Sequence, residues 1–309
     1  MRPEECYELC RQVHQSHSKT YYFATRLFPP EVRPHVYALY AFMRYADDIV
    51  DRPGTTSAET QLRALEDFEA ETLAALDGEQ AGNPIIRAFA ATARKLKINI
   101  SYISSFIDSM KMDIYITRYP TYEDLEKYMY GSAAVVGTMM CCVMRVEHEE
   151  ALPYAEALGI AMQLTNFLRD IREDWERGRV YIPLEDLERF GYSEAELKRG
   201  VVNEAFIELM RFQIERARTL YANADQGIPY IYRGRRYPVV VARYLYAAIL
   251  RGIEDLGYNV FNHRAETSFT EKLLVAAACA VRDPWELLLY GPGRTPVRSV
   301  SGGVPRGTR

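Results

Sequence analysis

The 309-residue sequence lacks an apolar run long enough to cross a membrane. Its longest, Ala133 to Met144, falls well short of the roughly 20 residues a spanning helix needs. The opening decapeptide, MRPEECYELC, has neither the apolar stretch nor the cleavage pattern of a secretory leader, so a cytoplasmic location is the expectation. Cysteine is scarce: five residues, with Cys141 and Cys142 adjacent, Cys6 and Cys10 a helical turn apart, and Cys279 in an alanine-rich run. An odd, scattered set excludes a disulfide-stapled scaffold and suits no metal site, so the thiols read as small buried hydrophobes. No charge of one sign dominates, because 38 Lys+Arg stand against 42 Asp+Glu for a formal net charge of -4. That balance gives no pull toward nucleic acid, and no such partner is expected. Few segments alternate with period two, and fixed-period repeats and a glycine-rich dinucleotide loop are lacking.

What is present is apolar and helical. The chain is 48% hydrophobic and 26% charged, ample for a buried core and incompatible with wholesale disorder. Leu62, Leu65, Phe68, Leu73 and Leu76 recur at helical spacing and stop before the breaker run DGEQAGNP. Residues 153–175 repeat the pattern with Leu158, Met162, Thr165 and Leu168 on the buried side, as do residues 203–222 and 238–256. Turns are expected at Arg52–Thr56, Asp77–Pro84, Thr117–Tyr122, Arg177–Pro183 and Gln226–Pro238. The expectation is one all-α domain of many helices over residues 1–290. Residues 291–309, with four arginines and no acid among glycines and prolines, read as a disordered tail.

Two acidic patterns carry chemistry. In Arg44-Tyr45-Ala46-Asp47-Asp48-Ile49-Val50-Asp51, Asp47 and Asp51 leave the same helix face one turn apart, directly after the apolar run VYALYAFMRYA. Carboxylates paired on a largely buried helix are costly without a counter-charge, and a divalent cation resolves that cost. The second pattern lies in AMQLTNFLRDIREDWERGR, where Asn166, Asp170 and Asp174 fall at i, i+4 and i+8, a spacing that predicts one stripe on one helix. Gln163, Arg169 and Arg172 accompany it. Carboxylate and amide oxygens suit Mg²⁺ or Mn²⁺ bridging to substrate phosphates, and arginines bind the same phosphates bidentately.

Taken in order, these motifs resemble the squalene/phytoene synthase family of head-to-head prenyl synthases over about His14 to Arg264. The resemblance rests on His17-Ser18-Lys19-Thr20-Tyr21, Asp47-Asp48-Ile49-Val50-Asp51, Met110-Lys111-Met112-Asp113 and Tyr128-Met129-Tyr130-Gly131-Ser132-Ala133-Ala134-Val135-Val136-Gly137. It continues through Asn166-Phe167-Leu168-Arg169-Asp170-Ile171-Arg172-Glu173-Asp174 and Arg179-Val180-Tyr181-Ile182-Pro183. The wording around Tyr45–Asp51 is most similar to the bacterial phytoene synthases. The resemblance implies an isoprenoid synthase-like bundle around a deep central cavity. Asp47 and Asp51 would form one metal wall, and Asn166, Asp170 and Asp174 the other. Asp48 and Tyr181 join the aspartates as expected catalytic residues. His17, Ser18, Lys19, Thr20, Tyr40, Arg44, Tyr128, Gln163, Arg169, Tyr246 and Arg264 would meet substrate, together with Asn166. Ala134 stands where the family has glycine, and His263 precedes Arg264 where relatives place a phosphate-binding arginine.

The implied activity is a Mg²⁺-dependent (or Mn²⁺-dependent) condensation of two geranylgeranyl diphosphates through a cyclopropyl-carbinyl diphosphate. Two diphosphates are released, in carotenoid biosynthesis, and no NADPH is expected. Farnesyl diphosphate as substrate, with a squalene-like, dehydrosqualene or presqualene product, is the alternative on the same fold. A non-catalytic binding or assembly protein is the alternative of another class. Greasy substrates and product make peripheral membrane contact a further expectation. Outside the motifs, His14, His35 and His148 read as surface or hydrogen-bonded histidines, and Met139, Met140 and Met144 as core or cavity fillers. Arg233, Arg235 and Arg236 read as a solvated basic loop.

Overall fold

Helix boundaries follow the capping chemistry of the chain. Asn83 caps the helix that begins at Pro84, and Asn99 caps the next one. Thr121 with Asp124 and Ser193 with Glu196 form capping boxes, while Gly78 and Gly200 end their helices in the left-handed conformation. The computed structural model describes residues 1–51 and 57–281. The expected turn at Arg52–Thr56 and the expected tail, 291–309, lie outside the described residues.

The helices are α1 (Pro3–His17), α2 (Lys19–Thr25), α3 (Arg33–Val50), α4 (Ala58–Asp77), α5 (Pro84–Leu96), α6 (Ile100–Tyr115) and α7 (Tyr122–Met129). A π-helical turn, Tyr130–Ala134, leads into α8 (Val135–Met144) and α9 (Leu152–Arg169). Short helices α10 (Ile171–Glu176), α11 (Leu184–Arg189) and α12 (Glu194–Arg199) precede α13 (Glu204–Asp225), α14 (Arg233–Asp255) and α15 (Phe269–Val281). Among the described residues no strand forms; Arg118 and Val180 make a single isolated parallel bridge. The all-α expectation holds.

Three details differ from the sequence reading. The acidic stripe does not run along one helix: α9 ends at Arg169, Asp170 sits between helices at φ -104° and ψ 16°, and α10 carries Asp174. Pro238 lies inside α14, which starts at Arg233. A proline this near a helix start forfeits one hydrogen bond, and the carbonyl its ring crowds belongs to Gly234, which carries no side chain. Arg233, Arg235 and Arg236 therefore occupy the first turns of a helix, where Arg236 donates to the Ile231 carbonyl at 2.6 Å.

The core has two halves. Helices α1, α3, α5 and α6 bury Phe42 against Phe89 with ring centroids 3.8 Å apart. The other half gathers around Phe206, Met210 and Ile214 of α13 and Leu164 and Leu168 of α9. The π-helical turn packs directly on α9, because a Cβ on Gly159 would stand 2.2 Å from the Ala133 carbonyl oxygen. Of the residues expected on the buried side of α9, Thr165 and Leu168 are buried, whereas Leu158 and Met162 are only half-buried because they face a cavity.

Candidate active site

That cavity holds about 1670 Å³, its open mouth included. Three helices line it in the same direction. Val36 near the start of α3, Tyr154 near the start of α9 and Pro238 in α14 stand at one end; Asp47, Asn166 and Tyr246, further along the same helices, stand at the other. Between them the walls are apolar: Leu39, Met43, Phe106, Met110, Met140 and Leu158. Met140 and Met144 are cavity fillers as expected, and Met139 is fully buried beside them.

The polar end is where α3 and α9 terminate. Helix C-termini carry partial negative charge, and here aspartates add to it, so this end of the cavity attracts cations. Arginines supply the charge. Arg44 pairs with Asp47 at 3.0 Å and also holds Asp48; Arg179 holds Asp51 at 2.6 Å. Arg169 Nε and Arg264 Nη2 both reach Asp170 Oδ1, at 2.8 and 2.9 Å. Arg177 Nη1 stands 3.7 Å from Asp51 and 3.8 Å from Asp174, so one guanidinium spans the two acidic walls that the sequence placed face to face. Arg172 turns outward to Glu176. Arg264, not His263, is the C-terminal arginine at this site; His263 is exposed.

Enclosure perturbs the acids. The Asp47 carboxyl opens into the cavity rather than to bulk water; burial and then Asp51 push it up to about 7. Burial, then Asp170, holds Asp174 well above the usual carboxylate range. Tyr40 and Tyr246, both beside Ser18, are pushed up by burial and stay protonated. Gln163 and Asn166 line the cavity together, with an Asn166 Nδ2 to Gln163 Oε1 separation of 3.5 Å. Two buried polar atoms on the cavity wall lack a partner, Arg44 Nε and Ser132 Oγ. Arg44 stands at the arginine-lined mouth, where an unpaired donor fits an anionic ligand.

Behind this wall lies a group the sequence reading did not assign. Asp113 is buried and accepts hydrogen bonds from Tyr128 at 2.6 Å and Tyr181 at 2.9 Å. Burial pushes it up to about 6, against the lowering influence of Arg179. Tyr128 faces the cavity; Tyr181 is one layer back, stacked on Phe167 with centroids 4.1 Å apart. Asp48 also stands away from the cavity lining, on the Arg44 guanidinium.

The N-terminal segment sits at the rim. His17 is exposed and its Nδ1 lies 2.8 Å from the Val13 carbonyl; Lys19 is exposed; Thr20 is tied to Thr267 at 3.1 Å. His14 corrects an expectation, being neither at the surface nor hydrogen-bonded. It is fully buried, neither ring nitrogen has a partner, and it stacks on Tyr40 with centroids 4.0 Å apart. The run Cys6, Cys10, His14, with four residues to each step, is the signal that places it on the buried face of α1. His35 is satisfied by Thr92 at 2.9 Å and His148 is exposed, as expected.

A divalent cation is what the family likeness implies, and the donors fit one. They are hard oxygens, two of the carboxylates lie within 4 Å of a single guanidinium nitrogen, and burial penalises the anions a cation would neutralise. Among the described residues no three acidic, histidine or cysteine side chains already converge on one point; arginines stand between the walls instead.

An all-helical shell around one deep apolar cavity with an acidic, arginine-ringed mouth defines an isoprenoid synthase-like protein. A sequence profile of the squalene/phytoene synthase family matches residues 14–271, and the chain belongs to that family. It is a prenyltransferase of that type. The 15-cis-phytoene synthase of Synechocystis sp. is 42% identical over 288 residues, covering 88% of this chain and 83% of its own. The phytoene synthase of Arthrospira platensis is 38% identical, covering 90% of this chain and 93% of its own. A dehydrosqualene synthase solved in complex with ligand matches with a TM-score of 0.84 at 26% identity, covering 90% of this chain and 96% of its own.

Proposed function

We propose that the protein is a phytoene synthase that joins two geranylgeranyl diphosphates head to head. The observation that carries the substrate choice is the depth of the cavity. Tyr154 and Asn166 both line it from α9, and twelve residues at 1.5 Å each give about 18 Å between the apolar end and the polar mouth. An extended chain gains about 1.2 Å per bond, so a geranylgeranyl main chain spans about 18 Å and a farnesyl chain about 13 Å. The phytoene synthases among the relatives support the same reading.

In this reading Arg44, Arg169 and Arg264 grip the diphosphates, with Ser18, Lys19, Thr20, Tyr40, Gln163 and Tyr246 around them. Asp47, Asp51, Asn166, Asp170 and Asp174 would hold Mg²⁺, with Mn²⁺ as substitute, and the metal supplies Lewis-acid neutralisation of a departing diphosphate. The apolar walls exclude water that would quench an allylic cation. The Tyr128 ring, fixed by its bond to Asp113, offers a π-face to positive charge in the cavity. The double bond of the second chain attacks the allylic cation, and loss of a proton closes the ring of a cyclopropyl-carbinyl diphosphate. Loss of its diphosphate, rearrangement and a second proton loss give phytoene, with no NADPH consumed.

The hydrocarbon product makes contact with a lipid surface part of the proposal. Among the described residues no helix is long and apolar enough to cross a membrane, while α15 exposes Phe269, Leu274 and Val281. Flotation with liposomes tests this, and a protein left wholly in the soluble fraction counts against it. The activity test is incubation of the full chain with Mg²⁺ and each prenyl diphosphate, with and without NADPH. A forty-carbon hydrocarbon from geranylgeranyl diphosphate without NADPH is expected. A thirty-carbon product made only from farnesyl diphosphate overturns the substrate, and silence with both overturns the enzyme reading.

A further inference from the structure

At the apolar end of the cavity an aromatic stack presents one ring, that of Tyr154, to the lining. Tyr154 lines the cavity from the first turn of α9. Its ring lies on that of Tyr230, with centroids 6.2 Å apart and planes 19° apart, and Tyr230 lies 5.5 Å from the His148 ring. Tyr230 ends the short 3₁₀ turn Ile228–Tyr230, so the stack joins the start of α9 to the connection between α13 and α14. The same connection grips the base of Tyr154: a Cβ on Gly227 would meet Tyr154 Cβ at 2.4 Å. The ring is thus backed on its outer face by Tyr230 and pinned at its root by Gly227. Ala151, Ala155 and Ala224 beside it on the lining are small, while Val36, Ile228 and Pro238 line the same end.

We infer that Tyr154 is the specificity-determining residue that limits the length of the prenyl chain. The inference rests on the reading that the diphosphate lies at the acidic mouth, which fixes one end of the chain and leaves Tyr154 to meet the other. Removing the ring opens a length comparable to one isoprene unit, about 5 Å at four bonds of about 1.2 Å. Enlarging it, or pushing it inward with a side chain at position 227, shortens the cavity. Discrimination of this kind in an apolar pocket is worth about tenfold or more per ligand, because an atom that does not fit must be accommodated by strain.

The test uses the full chain with Mg²⁺ and three unreactive S-thiolodiphosphate analogues carrying farnesyl, geranylgeranyl and geranylfarnesyl chains. Dissociation constants come from calorimetry, so the readout does not depend on turnover. Tyr154→Ala is expected to improve geranylfarnesyl binding relative to geranylgeranyl by at least about tenfold. Tyr154→Trp and Gly227→Ala are expected to move the preference by a similar factor toward farnesyl. Tyr154→Leu, which keeps an apolar side chain in place, carries the same comparison should the alanine variant fail to fold. Ratios unchanged within twofold in both a shortened and an enlarged variant overturn the inference. If the wild-type protein prefers the farnesyl analogue, the geranylgeranyl reading fails, but a shift of one isoprene unit in Tyr154→Ala or Tyr154→Leu still upholds Tyr154 as the stop. Failure of the wild-type protein to bind any of the three overturns both.

Discussion

His14 gives the most direct physical test of the core around the site. Its ring is fully buried among Tyr21, Tyr22, Tyr37 and Tyr40, with both nitrogens unpartnered. Burial pushes it down from 6.5 to about 3. The unfolded chain therefore takes up a proton at this residue below about pH 6.5, while the folded chain refuses it until about pH 3. Stability attributable to His14 is intact above pH 6.5 and declines as pH falls toward 3. At about 1.4 kcal/mol per pH unit, the loss reaches about 2 kcal/mol at pH 5. Asp47 and Asp113 act in the opposite sense, because burial raises them and protonation near pH 7 and 6 favours the folded state. The pH dependence of the wild-type protein alone is therefore a mixture. The difference between wild type and His14→Phe isolates the histidine, since phenyl keeps the stack on Tyr40 and removes the titration. Urea unfolding at pH 7.5, 6 and 5 should show His14→Phe gaining about 2 kcal/mol on wild type between the first and last of these. Curves that stay parallel across that range would refute the argument.

Two further outcomes follow from the geometry. Asp170→Asn removes the charge that Arg169 and Arg264 share, and should reduce hydrocarbon formation at least about a hundredfold while circular dichroism and Tm stay near wild type, since the site lies at a cavity mouth and not in the core. Turnover near the wild-type rate would show that Asp170 has no part in metal or diphosphate binding. Gly159→Ala forces a methyl to within 2.2 Å of the Ala133 carbonyl oxygen, so α9 must move off the π-helical turn. A loss of about 1–3 kcal/mol is expected by thermal or urea denaturation, and an unchanged midpoint would contradict the close packing described.

The sequence was most legible where spacing alone decides geometry. Asp47 and Asp51 share a face because four residues make a turn, and α4, α9, α13 and α14 carry the apolar periodicity that predicts them. It was less legible where tertiary contact overrides local preference. Asp170 reads as a helix position and is instead a junction, where it pairs with Arg169 and Arg264. Pro238 reads as a breaker, yet the helix begins upstream of it because Arg236 caps carbonyls of the preceding turn. The counter-ions of the acidic walls were half visible: Arg177 and Arg179 lie in the quoted run after Asp174, but their reach back to Asp51 depends on how the chain returns across the bridge at Val180. His14 continues the Cys6, Cys10 spacing and so was open to the same reading as a buried position, whereas Tyr154 is defined by its neighbours on the cavity lining.

The shared direction of α3, α9 and α14 explains how one shell supports both a charged and a greasy substrate part. Each of the three enters at the apolar end and leaves toward the mouth, so the partial negative charge of helix C-termini collects where the aspartates are. That concentration is tolerable only with positive charge nearby, which accounts for the arginines paired with these acids. The same direction makes a residue's position along α9 indicate which part of a bound chain it would meet: Asn166 and Gln163 the diphosphate, Met162 and Leu158 the middle, Tyr154 the tail. Substitutions along this one helix should therefore separate into those that change turnover, near Asn166, and those that change chain length, near Tyr154.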